Sequence, residues 1–228
     1  MNLSHTHGEK NLVIINTDEV PVYFDMARRT TYHFKGDRSV KTVKTNGHKK
    51  RVTVCLAIAS NGMKLPPMLI FKGEKSFTNP LSKKMYVTQN QNGWMTETKM
   101  KEWIEHILGK VKFPEKSVKL LVLDKCSSHE KDSVKAALKE KTDYLEFIPA
   151  GCTSLLQPLD LVINKPCKDA LQNYYDDWLG KVGISEKNKT KNGYLRPPSY
   201  ITICRWVNNA WSGISSELVK KSFYCGGI

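Results

Sequence analysis

The sequence has no long apolar run. Nowhere in its 228 residues are there about 18 consecutive apolar residues, the length from which a membrane-spanning helix is inferred. The N-terminus, MNLSHTHGEK, also lacks the cationic start and the apolar segment of a secretory signal peptide. Both absences predict a protein of the cytosol or the nucleus.

Cysteine pairs of the kind that bind zinc or form a disulfide framework are also missing. The six cysteines include no C-x-x-C pair and no short repeated spacing. Cys126 and His129 have a C-x-x-H spacing, but one such pair without a second is weak support for a zinc site. Without an export signal, the cysteines are expected to be reduced thiols, mostly in the core.

Acidic residues are scarce relative to basic ones. The chain has 36 Lys and Arg against 22 Asp and Glu, a formal net charge of +14. Such a surplus favours polyanionic partners, although a basic protein without such a partner is the alternative. The segment 35–51 concentrates this charge, and its basic residues are the predicted nucleic-acid contacts: Lys35, Arg38, Lys41, Lys44, Lys49, Lys50 and Arg51. A solvated basic loop is an equally good interpretation of that segment.

Apolar runs and helical periodicity predict an α/β fold. Apolar runs bounded by polar residues predict five strands, in segments 11–24, 51–73 (two strands around an Asn61–Gly62 turn), 117–124 and 143–149. Apolar residues at helical spacing predict helices in segments 96–109, 159–179 and 199–223. This order of elements predicts a mixed five-stranded sheet flanked by helices on both faces, with helices at the C-terminus.

Three aspartates share one kind of position in this predicted fold. Asp18 ends the first strand, Asp124 ends the strand after the first long helix, and Asp160 opens the helix after the last strand. In an open α/β sheet, strand ends and helix starts line one crevice. Carboxylates gathered there would repel one another unless Mg²⁺ or Mn²⁺ neutralised them, and two such ions can promote phosphodiester cleavage. The alternative is that these are ordinary turn aspartates.

Five segments of the sequence also resemble a known family, in that family's order. The sequence is similar to the catalytic domain of DDE superfamily transposases, in the pogo/Tigger group with its jerky-like and centromere-protein-B-like members. The matching segments are NTDEVPVYFDM, TNGHKKRVTVCLAIASNGMKLPPMLIFKG, LLVLDKCSSH, IPAGCTSLLQPLDLVINKPCK and WVNNAWSGISSELVKKSFYCGGI. The resemblance covers most of the chain and implies a ribonuclease H-like fold.

The resemblance also implies a site and an activity. The family's metal-binding acids fall on Asp18, Asp124 and Asp160, with 35 residues between the second and the third. The implied activity is cleavage of DNA at transposon ends and strand transfer to target DNA, with two Mg²⁺ or Mn²⁺ ions as cofactors. A nuclear location, DNA as partner and homo-oligomers on transposon ends go with this activity.

Three neighbouring residues are expected to support the acids. Glu19 could assist Asp18, but a solvated strand-end charge is the alternative interpretation. His129 could hydrogen-bond an acid or a phosphate, or it could cap a helix. Gln157, with Pro158, is expected to shape the loop that directs Asp160.

The expected organisation is a single catalytic domain with short additions. We expect an N-terminal tail at 1–10, a ribonuclease H-like catalytic domain at 11–180, a polar loop or linker at 181–198, and a helical extension at 199–228 packing on the same domain. The sequence has no recognisable helix-turn-helix module, and Lys125 follows Asp124 where the family more often has a small or polar residue. An orphaned or domesticated, catalytically silent module that binds DNA or protein is therefore the alternative, and an enzyme acting on RNA–DNA hybrids is a third.

Overall fold

The fold is a mixed sheet of six strands. The computed structural model describes residues 11–26, 28, 35–36, 50–73, 81, 83–183 and 185–228. The strands are β1 (Leu12–Tyr23), β2 (Arg51–Ala59), β3 (Met68–Lys72), β4 (Tyr86–Asn90), β5 (Val118–Asp124) and β6 (Tyr144–Ile148). They hydrogen-bond in the order β4-β3-β2-β1-β5-β6. β1, β2 and β3 pair antiparallel, whereas β5 and β6 join β1 in parallel and β4 joins β3 in parallel.

Six α-helices accompany the sheet in the described part of the chain. They are α1 (Glu97–His106), α2 (Asp132–Lys139), α3 (Thr153–Leu156), α4 (Asn164–Trp178), α5 (Tyr200–Gly213) and α6 (Ser216–Cys225). A π-helical segment, Leu159–Ile163, leads directly into α4. Side-chain oxygens cap three of these helices, because Thr96, Ser199 and Ser215 each accept a hydrogen bond from a backbone N–H of the first turn.

Helices cover both faces of the sheet, so its central strands are buried on both sides. One core cluster joins alternate residues of β1, β2 and β3 to α4, α5 and α6. The other joins the intervening residues of these strands and of β5 to α1 and α2. Because both faces are covered, eight of the nine residues of β2 are buried. This explains its nearly continuous apolar sequence.

The C-terminal helices belong to the same core as the sheet. Val207 of α5 and Phe223 of α6 are in one buried cluster with Val54 of β2. The loop after β2 is hydrogen-bonded to α5. Trp211 donates its indole N–H to the backbone oxygen of Leu65 at 2.9 Å. No helix in the described ranges is both long and apolar enough to cross a membrane.

The predicted α/β class is confirmed, but the predicted number of five strands was wrong. The sixth strand, β4, has five residues that are all half-buried and lies at the edge of the sheet. Its sequence, YVTQN, has neither an apolar run nor clear alternation. Because all five residues are buried to a similar degree, the two faces of this strand do not differ, and its sequence has no period-two signal.

Candidate active site

Asp18 and Asp160 are held together by one amide. Asp18 lies inside the central strand β1, so the prediction that it ends this strand was wrong; it follows the point at which β1 stops pairing with β5, at Asn16. Asp160 lies in the π-helical segment before α4, as predicted for a helix start. The Nδ2 of Asn164 donates to Oδ2 of Asp18 and to Oδ1 of Asp160, at 2.8 Å in each case. The two carboxylate oxygens therefore lie no farther apart than twice that distance. Sequence reasoning missed Asn164, although its spacing of four residues from Asp160 indicates a shared helix face.

Asp124 and Glu19 are held together by an imidazole. The buried ring of His129 lies with Nε2 3.2 Å from Oε1 of Glu19 and Nδ1 2.9 Å from Oδ1 of Asp124. Nδ1 also lies 3.3 Å from the backbone oxygen of Asp124 and points more directly at it. The carboxylate contact is therefore an ion pair, and Oδ1 of Asp124 is buried with no aligned hydrogen bond among the described residues.

The surroundings of His129 favour its charged form. Burial lowers its pKa, but the hydrogen bonds and the negative charges of Asp124 and Glu19 outweigh burial and raise the pKa to about 11. The ligand atoms of Glu19, Asp124 and His129 all lie within 4.8 Å of one another, close enough to hold an ion. An imidazolium has no free lone pair, however, so His129 in this state orients the two carboxylates and is not itself a metal ligand.

Gln157 fixes the start of the helical segment against the sheet. Its Nε2 donates to the backbone oxygen of Thr17 at 3.2 Å, and its Oε1 accepts from Nδ2 of Asn16 at 3.0 Å. Asn16 also donates to the backbone oxygen of Val122 at 3.1 Å and accepts from the backbone N–H of Leu159 at 3.3 Å. All these groups are buried. The network joins β1, β5 and the segment that carries Asp160, and sequence reasoning missed Asn16.

The acids share one electrostatic environment. Burial is the largest cause that raises the pKa of Asp18, followed by the charge of Asp160, and the charges of Glu19 and Asp124 add to both. The hydrogen bond from Asn164 acts in the opposite direction, and the resulting pKa is about 7. A divalent cation bound between the carboxylates would remove this repulsion. Mutual repulsion of this kind is expected of acids that share a metal site.

The donor set fits Mg²⁺ or Mn²⁺. Both ions prefer oxygen ligands, which the carboxylates supply. Within the described part of the chain, the buried side-chain oxygens that lack an aligned hydrogen bond are Oδ1 of Asp124 and Oδ1 of Asn164, and both belong to this site. His129 compensates the Asp124 oxygen as an ion pair, whereas a buried amide oxygen such as that of Asn164 is costly unless something compensates it. A hard cation would do so.

The predicted nucleic-acid contacts are only partly within the described residues. Lys35 is exposed. The Nζ of Lys50 lies 4.7 Å and 4.3 Å from the ring centres of Phe24 and Tyr200, and the guanidinium of Arg51 lies 3.8 Å from the ring centre of Trp94. The other four predicted contacts, Arg38, Lys41, Lys44 and Lys49, lie outside the described residues.

The sequence matches a family of nucleases. The family model of the DDE superfamily endonucleases matches residues 49–223. Two similar relatives carry the name "Pogo transposable element with KRAB domain", from Mus musculus and from Homo sapiens. Each is 32% identical over 97% of this chain and 36% of the relative. The chain therefore spans about a third of the length of these curated relatives. The match to the family model begins after Asp18, so the position of Asp18 in the site rests on its contacts.

Solved structures show the same fold. A pre-cleavage Mos1 transpososome is 16% identical, with a TM-score of 0.61 over 93% of this chain and 52% of that one. The catalytic domain of the Mos1 mariner transposase is 13% identical, with a TM-score of 0.52 over 93% of this chain and 76% of that one. These similarities confirm the ribonuclease H-like fold that the sequence resemblance implied.

Proposed function

Since the chain belongs to the DDE superfamily endonucleases, we propose that it is a transposase-type domain that cleaves DNA and transfers DNA strands with divalent metal ions. The observation that carries this proposal is the joining of Asp18 and Asp160 by Asn164, with Asp124 close enough to raise the pKa of Asp18. Asp18 and Asp160 are 142 positions apart in the sequence, and ordinary turn aspartates would have no reason to meet.

Asp18, Asp124 and Asp160 are the proposed metal ligands and catalytic acids, and two Mg²⁺ or Mn²⁺ ions are the proposed cofactors. Structures of the related Mos1 transposase were solved with Mn and with Mg, which supports this choice. Bound ions would activate the attacking oxygen and stabilise the leaving oxygen of the phosphodiester.

The chain's own residues prepare this site. Asn164 sets the separation of Asp18 and Asp160, and its paired donors keep these carboxylates turned toward each other. His129 sets the direction of Asp124 and Glu19. Gln157 and Asn16 hold the start of the helical segment against β1 and β5, so that Asp160 has a fixed position. Fixed ligands lower the cost of organising the site during the reaction.

The proposed context is a DNA-acting nuclear protein that assembles on transposon ends. The name of the relatives, Pogo transposable element, supports this context. We assign the catalytic domain to 11–180, a polar linker to 181–198 and a packed helical extension to 199–228. The alternative of a catalytically silent module is not favoured, because the acids are complete and the family is one of endonucleases.

A nicking assay tests this function. The chain is incubated with labelled DNA that carries candidate terminal repeats, with Mg²⁺ or Mn²⁺, and nicked products are counted. We expect nicking by the wild type and a loss of about a thousandfold or more in Asp124→Asn, since a ligand needed for transition-state stabilisation is removed.

Asp177→Asn is the matched control, because it makes the same change at an exposed position of α4. It should nick at the wild-type rate. No nicking by the wild type with either ion, or equal nicking by Asp124→Asn, would contradict the proposal. Calorimetry of Mg²⁺ binding to the same proteins separates loss of metal from loss of chemistry.

A further inference from the structure

A row of cationic and aromatic side chains crosses one end of the sheet. Tyr23 of β1 pairs with Arg51 of β2. Next in the sheet, Lys72 ends β3 and pairs with Asn90, the last residue of β4. Trp94 lies in the loop that follows. Tyr23, which ends the central strand β1, is 44% exposed, and Trp94, which follows the edge strand β4, is 57% exposed. We call the set Tyr23, Arg51, Lys72 and Trp94 the strand-end platform.

Trp94 is held in place by a well-bonded loop. Asn90 donates from Nδ2 to the backbone oxygen of Trp94 at 2.8 Å, and its Oδ1 accepts from the backbone N–H groups of Gly93 and Trp94. Thr53 donates to the backbone oxygen of Gly93 at 2.7 Å. Gly93 has a φ of +68° and packs so closely on Lys72 that a Cβ would lie 3.0 Å from its backbone nitrogen. The backbone that carries Trp94 therefore has a fixed position.

The Trp94 ring already stacks with a cation. The guanidinium carbon of Arg51 lies 3.8 Å from the ring centre, and more than half of Trp94 remains open to solvent. A planar arginine beside an open indole is the arrangement that binds unpaired nucleobases, by stacking and by attraction of the phosphate. Segments 23–25, 51–53, 71–73 and 89–95 contain two cations, Arg51 and Lys72, and one acid, Asp25, which accepts a hydrogen bond from Tyr175. The charge of the surface thus suits a polyanion.

The platform lies on the face of the sheet that Glu19 points to, opposite the face that Asp18 and Asp160 share. Side chains alternate along a strand, so Glu19 and Tyr23 of β1 point to one face and Asp18 points to the other. Glu19 contacts His129 beside Asp124. Four residues of strand span about 13 Å at 3.3 Å per residue. Tyr23, the platform residue on β1, is therefore about that far from Glu19 along the strand.

We propose that the strand-end platform binds an unpaired base of the DNA strand by stacking it on Trp94. This inference rests on the proposed function for the identity of the polymer, and it adds a base-binding position that is separate from the acids. Stacking is tolerant of sequence because every base has a flat aromatic face. The platform thus orients the strand and leaves sequence reading to other contacts.

Binding of a fluorescent single-stranded oligonucleotide in EDTA tests the inference without cleavage. We expect Trp94→Ala to raise the Kd about tenfold, the change that corresponds to about 1.4 kcal/mol. Trp94→Phe should retain most of the affinity because it keeps a flat ring. Tyr224→Ala is the matched control, since Tyr224 is an 86% exposed aromatic residue on α6, and it should bind as the wild type does. Trp94 is exposed, so these variants should keep the wild-type unfolding temperature.

An abasic oligonucleotide of the same length separates stacking from charge. Wild type and Trp94→Ala should bind this strand equally, because it has phosphates and no bases. The inference is overturned if Trp94→Ala binds the normal strand within twofold of the wild type. It is also overturned if the Trp94→Ala defect persists on the abasic strand, if Tyr224→Ala shows the same defect, or if the defect occurs only with blunt duplex.

The two proposals can fail separately. Nicking by the wild type, together with normal strand binding by Trp94→Ala, would overturn the platform and leave the active site. Stacking-dependent binding by Trp94, with no nicking under any metal, would overturn the enzyme and leave the platform.

Discussion

The site holds its carboxylates in two different ways. Asp18 and Asp160 share the neutral amide of Asn164, whereas Asp124 and Glu19 share the imidazolium of His129. The amide supplies hydrogen bonds but no charge, and the pKa of Asp18 rises to about 7. The imidazolium supplies charge as well, and its own pKa rises to about 11. The difference indicates that the amide side is the one that most needs an external cation.

Removing the imidazole of His129 should have the largest effect on the stability of the protein. His129→Ala leaves Asp124 and Glu19 close together and partly buried without a counter-charge. We expect it to lower the free energy of unfolding by about 3 kcal/mol, the lower end for breaking a buried ion pair, since the carboxylates are partly exposed. Urea denaturation at pH 7 without metal measures this loss.

The double variant His129→Ala with Glu19→Gln is the control for that experiment. It removes one of the two uncompensated charges and should recover about half of the lost stability. A loss below about 0.5 kcal/mol in His129→Ala would mean that the imidazolium is not what holds this half of the site.

The free energy of unfolding, measured against pH without metal, should show the raised pKa of Asp18. Asp18 has a native pKa of about 7 against 3.8 for the free group. Between these values the native state holds a proton that the unfolded state has lost, so stability falls as the pH rises toward 7. Asp18→Asn removes this dependence. We therefore expect it to be more stable than the wild type by about 2 kcal/mol at pH 8, with no such advantage at pH 4.

With Mg²⁺ at pH 8, the wild type should become more stable than Asp18→Asn. Saturating Mg²⁺ stabilises a wild type that binds it and should stabilise Asp18→Asn much less, because binding to the native state adds to its stability. Thermal unfolding with and without Mg²⁺ at pH 8 gives both comparisons. Equal pH profiles for the wild type and Asp18→Asn would contradict the assignment of a raised pKa to Asp18.

Of the three single substitutions at His129, Asp18 and Asn164, loss of the bridging amide of Asn164 should have the smallest effect. Asn164→Ala removes a positioning residue but keeps all the acids. We expect about tenfold weaker Mg²⁺ binding and about tenfold slower nicking, with an unchanged KM for DNA because Asn164 is buried and does not contact the polymer.

Asn173→Ala is a matched change at an exposed position of the same helix and should be silent. Asn164→Gln keeps an amide and should restore part of the rate. An unchanged Mg²⁺ affinity in Asn164→Ala would show that the two carboxylates keep their positions without the bridge.

Sequence reasoning predicted the acids because each one has a local signal. Asp18 and Asp124 follow apolar runs, and Asp160 follows a proline at a helix start, so the order of elements predicted a shared edge. The outer strand β4 was missed because a half-buried edge strand has no periodic pattern. Thus the covered, central part of the sheet was predictable and its margin was not.

The polar residues that organise the site had no such local signal. Asn164 binds Asp18 across 146 positions of the sequence, and Asn16 binds Gln157 across 141. Such contacts depend on the final packing of distant elements, and a single asparagine has the same appearance in a turn, a cap or a site. Gln157 and His129 were predicted as supporting residues. Their pairings, of Gln157 with Asn16 and of His129 with Glu19 and Asp124, emerged only from the structure.

The central position of β1 has a consequence for synthesis of the protein. β1 leaves the ribosome before its hydrogen-bonding partner β5, which follows about a hundred residues later, as the 106-position contact between Asn16 and Val122 illustrates. At about 5 to 20 residues per second, translation leaves one edge of this apolar strand unpaired for roughly 5 to 20 seconds. An unpaired edge invites pairing with other chains. The nascent chain is therefore most vulnerable to misassembly at the strand around which the finished sheet is built.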